Sequence, residues 1–189
     1  MQATRGTSLS STDQADPADP ADHSSSSSSR HRLLFVVVAV AAYAVDLGTK
    51  LLAVAHLTPH QQVDVVGGLL RFDLVRNPGA AFSTGTSYTI VLSAIALLAA
   101  GVVIRFGRRL GDSIWAVGLG LLLAGVCGNL TDRVFRDPGF LRGHVVDFLE
   151  LPHWPVFNVA DMLIDAGVAL IIIQTWRGIG ITGHRHQRS

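Results

Sequence analysis

Four long apolar blocks leave this chain few folds to choose from. They run from about Leu33 to Leu57, Tyr88 to Ile104, Ile114 to Leu130 and Val159 to Trp176. About 20 apolar residues in a helix cross a ~30 Å hydrocarbon core, and inside it every backbone N–H and C=O must find its partner within the protein. With only 15 % charged residues over 189 positions, the blocks predict an all-α membrane protein, a four-transmembrane-helix bundle spanning residues 33–177. The second and third blocks are short, so their polar ends belong at the membrane–water interface. No nucleic-acid partner is expected.

The flanks are of different material. Residues 1–32 hold Asp-Pro-Ala-Asp repeats and the run Ser24 to Ser29. Such a segment cannot bury enough apolar surface to order itself and is expected to be a disordered cytoplasmic tail. The apolar block that follows is too long for a secretory signal peptide. Residues 178–189 are expected to form a cytoplasmic C-terminal tail. The lone Cys127 excludes an internal disulfide and reads as a small buried hydrophobe.

Arginine placement sets the expected orientation. With four spans, the tails and the middle loop share one side and carry nine Arg (5, 30, 32, 105, 108, 109, 177, 185, 188), against five (71, 76, 133, 136, 142) on the other. The positive-inside bias then puts both termini in the cytoplasm of a multi-pass cell-membrane protein. Loops 58–87 and 131–158 face outward. In the first, Val63 to Val66, Gly67-Gly68 and Leu69 to Val75 spell a β-hairpin around a Gly-Gly turn, a small extracytoplasmic cradle at the membrane surface. It leads into Asn77-Pro-Gly-Ala-Ala-Phe82, a turn followed by small residues that admit close backbone approach.

Polar residues in this apolar setting carry the chemistry. Asp46 and Lys50 stand one helical turn apart in the first span, the spacing of a structural ion pair. Asn129, Asp132 and Arg133 share a face at the end of the third span, and Arg133 suits a carboxylate or a phosphate-like group. Asp147 and Asp161 bracket the segment before the fourth span, with Asn158 on the Asp161 face. Carboxylates at a membrane edge are functional candidates by default. Two that converge cannot both ionise comfortably, so one holds a proton; such a pair activates water with one member and protonates a leaving group with the other. No His or Cys stands at metal-ligand spacing, so neither metal nor organic cofactor is expected, and His144 and His153 read as loop residues facing water. Asp165, one turn beyond Asp161, either tunes that group or points into a polar bundle interior.

In this order the stretches Asp46-Leu-Gly-Thr-Lys50, Asn77-Pro-Gly-Ala-Ala-Phe82, Gly128-Asn-Leu-Thr-Asp-Arg133, Val145-Val-Asp-Phe148 and Phe157-Asn-Val-Ala-Asp161 resemble the bacterial lipoprotein signal peptidases, or signal peptidase II. The resemblance covers roughly residues 33–177. It implies a membrane aspartic endopeptidase that cuts prolipoproteins before a diacylglyceryl-modified cysteine. It implies Asp147 and Asp161 as the catalytic pair, Asn77, Asn129, Arg133 and Asn158 as polar groups lining the substrate site, and Asp46, Lys50 and Asp132 as supporting groups. Asp165 stands where an apolar or small residue is expected. Partners would be the lipidated precursors and the bilayer, and a monomer suffices. Three rivals remain. A proton-coupled carrier would use Asp46, Lys50 and Asp165 as a relay, but it calls for charges near the midplane and repeated halves. A lipid-packed scaffold would need Asp147 and Asp161 for stability only. A Ser–Lys peptidase is disfavoured, because Lys50 is the only lysine and no outward Ser lies in its reach.

Overall fold

The computed structural model describes residues 21–79 and 86–185. Its elements follow the order α1 (Ala21–His56), β1 (Val63–Val66), β2 (Leu70–Asn77), α2 (Thr86–Gly107), α3 (Ser113–Phe135), β3 (Val145–Glu150) and α4 (Val159–Trp176). All four helices are long and apolar enough to cross a membrane. Helix α1 begins at Ala21, so residues 21–32, expected in a disordered tail, are helical here. Once the apolar run has formed a helix, each residue added at its end gains a backbone hydrogen bond without a new nucleation cost. The rest of the predicted tail (1–20), the small residues Ala80 and Ala81 with Phe82 after them, and residues 186–189 lie outside the described residues.

Helix α3 is the centre of the bundle: α1, α2 and α4 all pack on it, whereas among the described residues α2 and α4 touch each other little if at all. Lipid tails are as apolar as leucine, so close backbone approach holds such helices together. Gly125 and Gly128 supply it, since a Cβ at the first would run into the Ala160 carbonyl and at the second into the Asp46 carboxylate. Gly125→Val is therefore expected to cost about 1–3 kcal/mol, the usual range for overpacking, measured as a lower Tm in detergent.

The predicted hairpin forms, and it gains a third strand. The antiparallel sheet has the order β1-β2-β3, with Val75 opposite Asp147 and Asn77 opposite Val145. Strand β3 comes from the loop between the third and fourth spans, whose run Val145–Phe148 is buried. Side chains alternate across a strand. Val146 and Phe148 pack with Ala53 of α1 and Leu74 of β2, which frees Asp147 to face the other way. At the hairpin tip Val63, Val65, Val66 and Leu69 remain exposed, an apolar edge suited to a bilayer surface.

At the opposite end, the chain beyond α4 folds back where a free tail was expected. Gly111 N–H donates to the Ile181 carbonyl (2.9 Å) and Trp115 Nε1 to the Ile179 carbonyl (2.9 Å). Gln174 Nε2 donates to Asp112 Oδ1 (2.7 Å), and the same oxygen caps α3 by accepting from Ile114 and Trp115 N–H. The α2–α3 turn leaves donors and acceptors that only another segment can satisfy.

Candidate active site

Asp46, Lys50, Asn77, Asn129, Asp132, Arg133, Asp147, Asn158 and Asp161 gather at one end of the bundle. Asp147, on β3, is 2 % exposed, and both its oxygens are engaged. Oδ1 accepts from Asn158 Nδ2 at 2.5 Å and Oδ2 from Asn77 Nδ2 at 2.8 Å. The Asn77 amide is turned that way by its own loop, because its Oδ1 accepts from Gly79 N–H (2.8 Å). That Asn-Pro-Gly turn is pinned in turn by the Thr89 hydroxyl of α2, which donates to the Pro78 carbonyl (2.7 Å).

Asp161 sits at the third position of α4 in a capping box. Its N–H donates to Asn158 Oδ1 (3.2 Å), and its Oδ2 accepts from Asn158 N–H (3.1 Å). Asn158 therefore serves as helix cap with its oxygen and as a donor to Asp147 with its nitrogen. The remaining oxygen of Asp161, Oδ1, accepts from Asn129 Nδ2 at 2.8 Å, and Asn129 Oδ1 accepts from Asn158 Nδ2 at 3.2 Å. Two asparagines thus link the two carboxylates, one from a strand and one from a helix.

Lys50 sits behind this pair, 1 % exposed. An ammonium has three donors. Its Nζ donates to Asn129 Oδ1 (2.9 Å) and pairs by charge with Asp46 Oδ2 (3.0 Å) and Asp132 Oδ2 (3.1 Å). Each acceptor reaches onward to Asp161 or to a neighbour of Asp161 or Asp147. Asn129 holds Asp161; Asp46 Oδ1 accepts from Ala160 N–H (2.8 Å), the neighbour of Asp161. Asp132 Oδ2 accepts from Val146 N–H (3.2 Å), the neighbour of Asp147. Arg136 supplies the second cation by pairing with Asp132. The expected Asp46–Lys50 ion pair is present, as part of a four-charge network.

Arg133 faces the site. Its charge interacts with Asp147, Asp161 and Asp132, its Nη1 reaches only the Asn129 carbonyl at 3.4 Å, and its buried Nε has no partner. Burial pushes the Asp147 carboxyl up to about 6, against the hydrogen bonds from Asn77 and Asn158 that favour its charged form. The Asp161 charge raises it further and Lys50 draws it down.

Some residues lie elsewhere. Asp165 is exposed on the outside of α4, not in a polar bundle interior. His153 is exposed and His144 half-buried in a loop. Among the described residues no group of His, Cys, Asp and Glu could hold a metal ion. Cys127 is half-buried beside Tyr43 and Ala39, not in the core. Sequence reasoning missed Arg136 and the hydroxyls of Thr89 and Ser93; Ser93 Oγ donates to the Leu141 carbonyl at 2.9 Å. The one available signal was the i, i+4 spacing of these two hydroxyls in an otherwise apolar span.

The profile of the signal peptidase (SPase) II family matches residues 38–177. The chain belongs to the signal peptidase II family. It is 46 % identical over 158 residues to a lipoprotein signal peptidase of Streptomyces coelicolor, covering 84 % of this chain and 77 % of that one. It is 51 % identical over 147 residues to one of Mycobacterium avium, covering 76 % and 79 %. Two solved structures, each described as a bacterial membrane enzyme, share the fold. One superposes with a TM-score of 0.67 at 28 % identity over 75 % of this chain and 91 % of that one. The other gives 0.68 at 25 % identity over 82 % and 94 %. The four apolar helices and these neighbours make this member of the family a multi-pass membrane protein.

Proposed function

We propose that this signal peptidase II removes signal peptides from prolipoproteins by cutting just before the diacylglyceryl-modified cysteine, with Asp147 and Asp161 as its catalytic pair. As a lipoprotein signal peptidase it is an aspartic peptidase acting on prolipoproteins. The finer reading rests on one observation: two carboxylates from different elements are tied together through Asn129 and Asn158 at one end of the bundle. One carboxylate is ionised and takes a proton from water as the water oxygen attacks the scissile carbonyl carbon. The other donates its proton to the carbonyl oxygen. Collapse of the tetrahedral intermediate breaks the C–N bond, and a proton returns to the leaving nitrogen. The products are a signal peptide with a new carboxylate and a lipoprotein with a free amino-terminal cysteine. No metal or organic cofactor enters.

The geometry divides the polar residues by role. The side-chain amides of Asn77, Asn129 and Asn158 are engaged in orienting the carboxylates, so they position more than they bind. Arg133, with a buried donor unengaged, suits a substrate carbonyl or the developing oxyanion. Asp46, Lys50 and Asp132 hold the frame. All groups come from one chain, so a monomer suffices. The arginine count supports both termini on the cytoplasmic side of the cell membrane, with the site at the outer face, where lipidated precursors present their cleavage point. Residues 58–87 serve as the surface cradle and 131–158 as the active-site loop.

The direct test offers the protein, in bilayers, a precursor with and without diacylglycerol on its cysteine. Mass spectrometry is expected to find cleavage only of the lipidated form, immediately before the cysteine; cleavage that ignores the lipid overturns the reading. The pair also predicts a pH profile. Asp147 is protonated below about 6. If it holds the shared proton, kcat/KM falls as pH rises through that region and the proton is lost. Asn77 donates to the charged form, so Asn77→Ala raises the Asp147 value and moves this alkaline limb upward. A limb that moves down or stays put counts against Asp147 as the proton holder.

A further inference from the structure

Asp165 is a carboxylate within the fourth span that the site does not use. It is exposed on α4, and among the described residues it has no hydrogen bond or ion pair. A bare carboxylate on a lipid-facing helix is costly and needs a reason.

Its position supplies one. Asp161, Asp165, Val168 and Ile172 stand at i, i+4, i+7 and i+11, one face of α4 that leads from the site down into the membrane. All but the half-buried Asp161 are exposed. Beside this stripe, α2 and α4 leave a gap floored by α3. At the end far from the site the gap is an open cleft of about 430 Å³, lined by Val102 and Phe106 of α2, Leu119 and Leu122 of α3, and Ile171 of α4. The floor continues to the site on the same α3 face, through Val126 to Asn129 and Arg133, at i+4, i+7 and i+11 from Leu122. From Leu119 to Arg133 the helix rises ~21 Å. The apolar region of a signal peptide, 7–15 residues long, spans up to about 22 Å as a helix. An apolar precursor segment of that length fits this face, whose α3 and α4 residues lead from the cleft toward Asn129 and Asp161. Along the α4 wall, Asp165 alone departs from apolarity, ~6 Å below Asp161.

We propose that Asp165 is a specificity determinant, accepting a hydrogen bond from a Ser, Thr or Lys side chain on the precursor about one turn before the scissile bond. This rests on the peptidase reading above. A polar side chain in an apolar signal segment and a bare carboxylate in the groove are each poorly solvated, and pairing relieves both. At ~3.3 Å per residue if extended or ~1.5 Å if helical, the partner is about two to four residues before the bond.

The test uses the protein in bilayers with lipidated precursors carrying Leu, Ser or Lys at each of these positions. The wild type is expected to favour Ser or Lys over Leu at one of them by about tenfold in kcat/KM, through KM, the effect of a hydrogen bond to a charged group. Asp165→Leu should lose that preference and keep its kcat on the Leu precursor. Asp165→Asn, which still accepts but carries no charge, should keep the preference for Ser and lose that for Lys. Because Asp165 is exposed, neither variant threatens the fold. The same ranking in the wild type and in Asp165→Leu overturns the proposal alone. Failure of the wild type to cleave any lipidated precursor overturns the peptidase reading and this proposal with it.

Discussion

Asp147→Asn and Asp161→Asn are each expected to reduce cleavage of a lipidated precursor by about 10²–10⁴-fold or more, the scale of losing a general acid or base. Neither change alters side-chain size, so both variants should insert and fold. The physical reason for the loss differs between the two. At Asp147 both oxygens accept from asparagine amides, so an Asn there must set one NH₂ against another. At Asp161 the carboxylate closes a capping box and meets Asn129, so an Asn keeps the cap with its oxygen but can neither take nor give up the proton. Substrate capture without turnover, read by binding of a labelled precursor beside the cleavage assay, is the expected pattern. Full activity in either variant removes that residue from the chemistry, and normal activity in both would favour the scaffold reading.

Lys50→Met is expected to cost about 3–5 kcal/mol, the usual penalty for removing one partner of a buried charge network. Asp46 and Asp132 are each 1 % exposed, and among the described residues Asp46 has no cation partner besides Lys50. Asp132 retains Arg136. The damage should reach activity as well as stability, because the Lys50 ammonium orients Asn129 and, through Asp46 and Asp132, the backbone on either side of the site. Lys50→Arg should not rescue the protein, since a planar fork does not match three acceptors arranged around a single nitrogen. A thermal-shift measurement in detergent, paired with activity per folded molecule, checks both parts. A Tm within a few degrees of the wild type would mean that the network adds little to stability.

These expectations also separate the enzyme from a carrier. A relay needs charges strung through the bundle, whereas Asp46 and Lys50 are locked in a network at one end and Asp165 lies on the outer surface.

Much of this was legible in the chain. The four spans, the Gly-Gly hairpin and the Asp46–Lys50 pair follow from local rules: bilayer thickness sets helix length, a two-glycine turn reverses a strand, and an i, i+4 spacing brings two side chains together. Membership of the family followed from five short motifs in order. Local rules could not place β3, because Val145–Glu150 becomes a strand by pairing with β2, far earlier in the chain, with Asn77 opposite Val145 and Val75 opposite Asp147. Nor could they foresee that the chain after α4 folds back on the α2–α3 turn, since the groups it satisfies belong to another part of the sequence.

The sequence by itself determined that a membrane bundle would carry carboxylates at its edge, because apolar length and costly charges are properties of single segments. Only the tertiary structure decided where each carboxylate sits and what holds it. Asp46, Asp132, Asp147, Asp161 and Asp165 are chemically the same group. Burial, the direction of each neighbouring amide and the reach of one ammonium make two of them a candidate pair and two their frame, and leave the fifth exposed on α4.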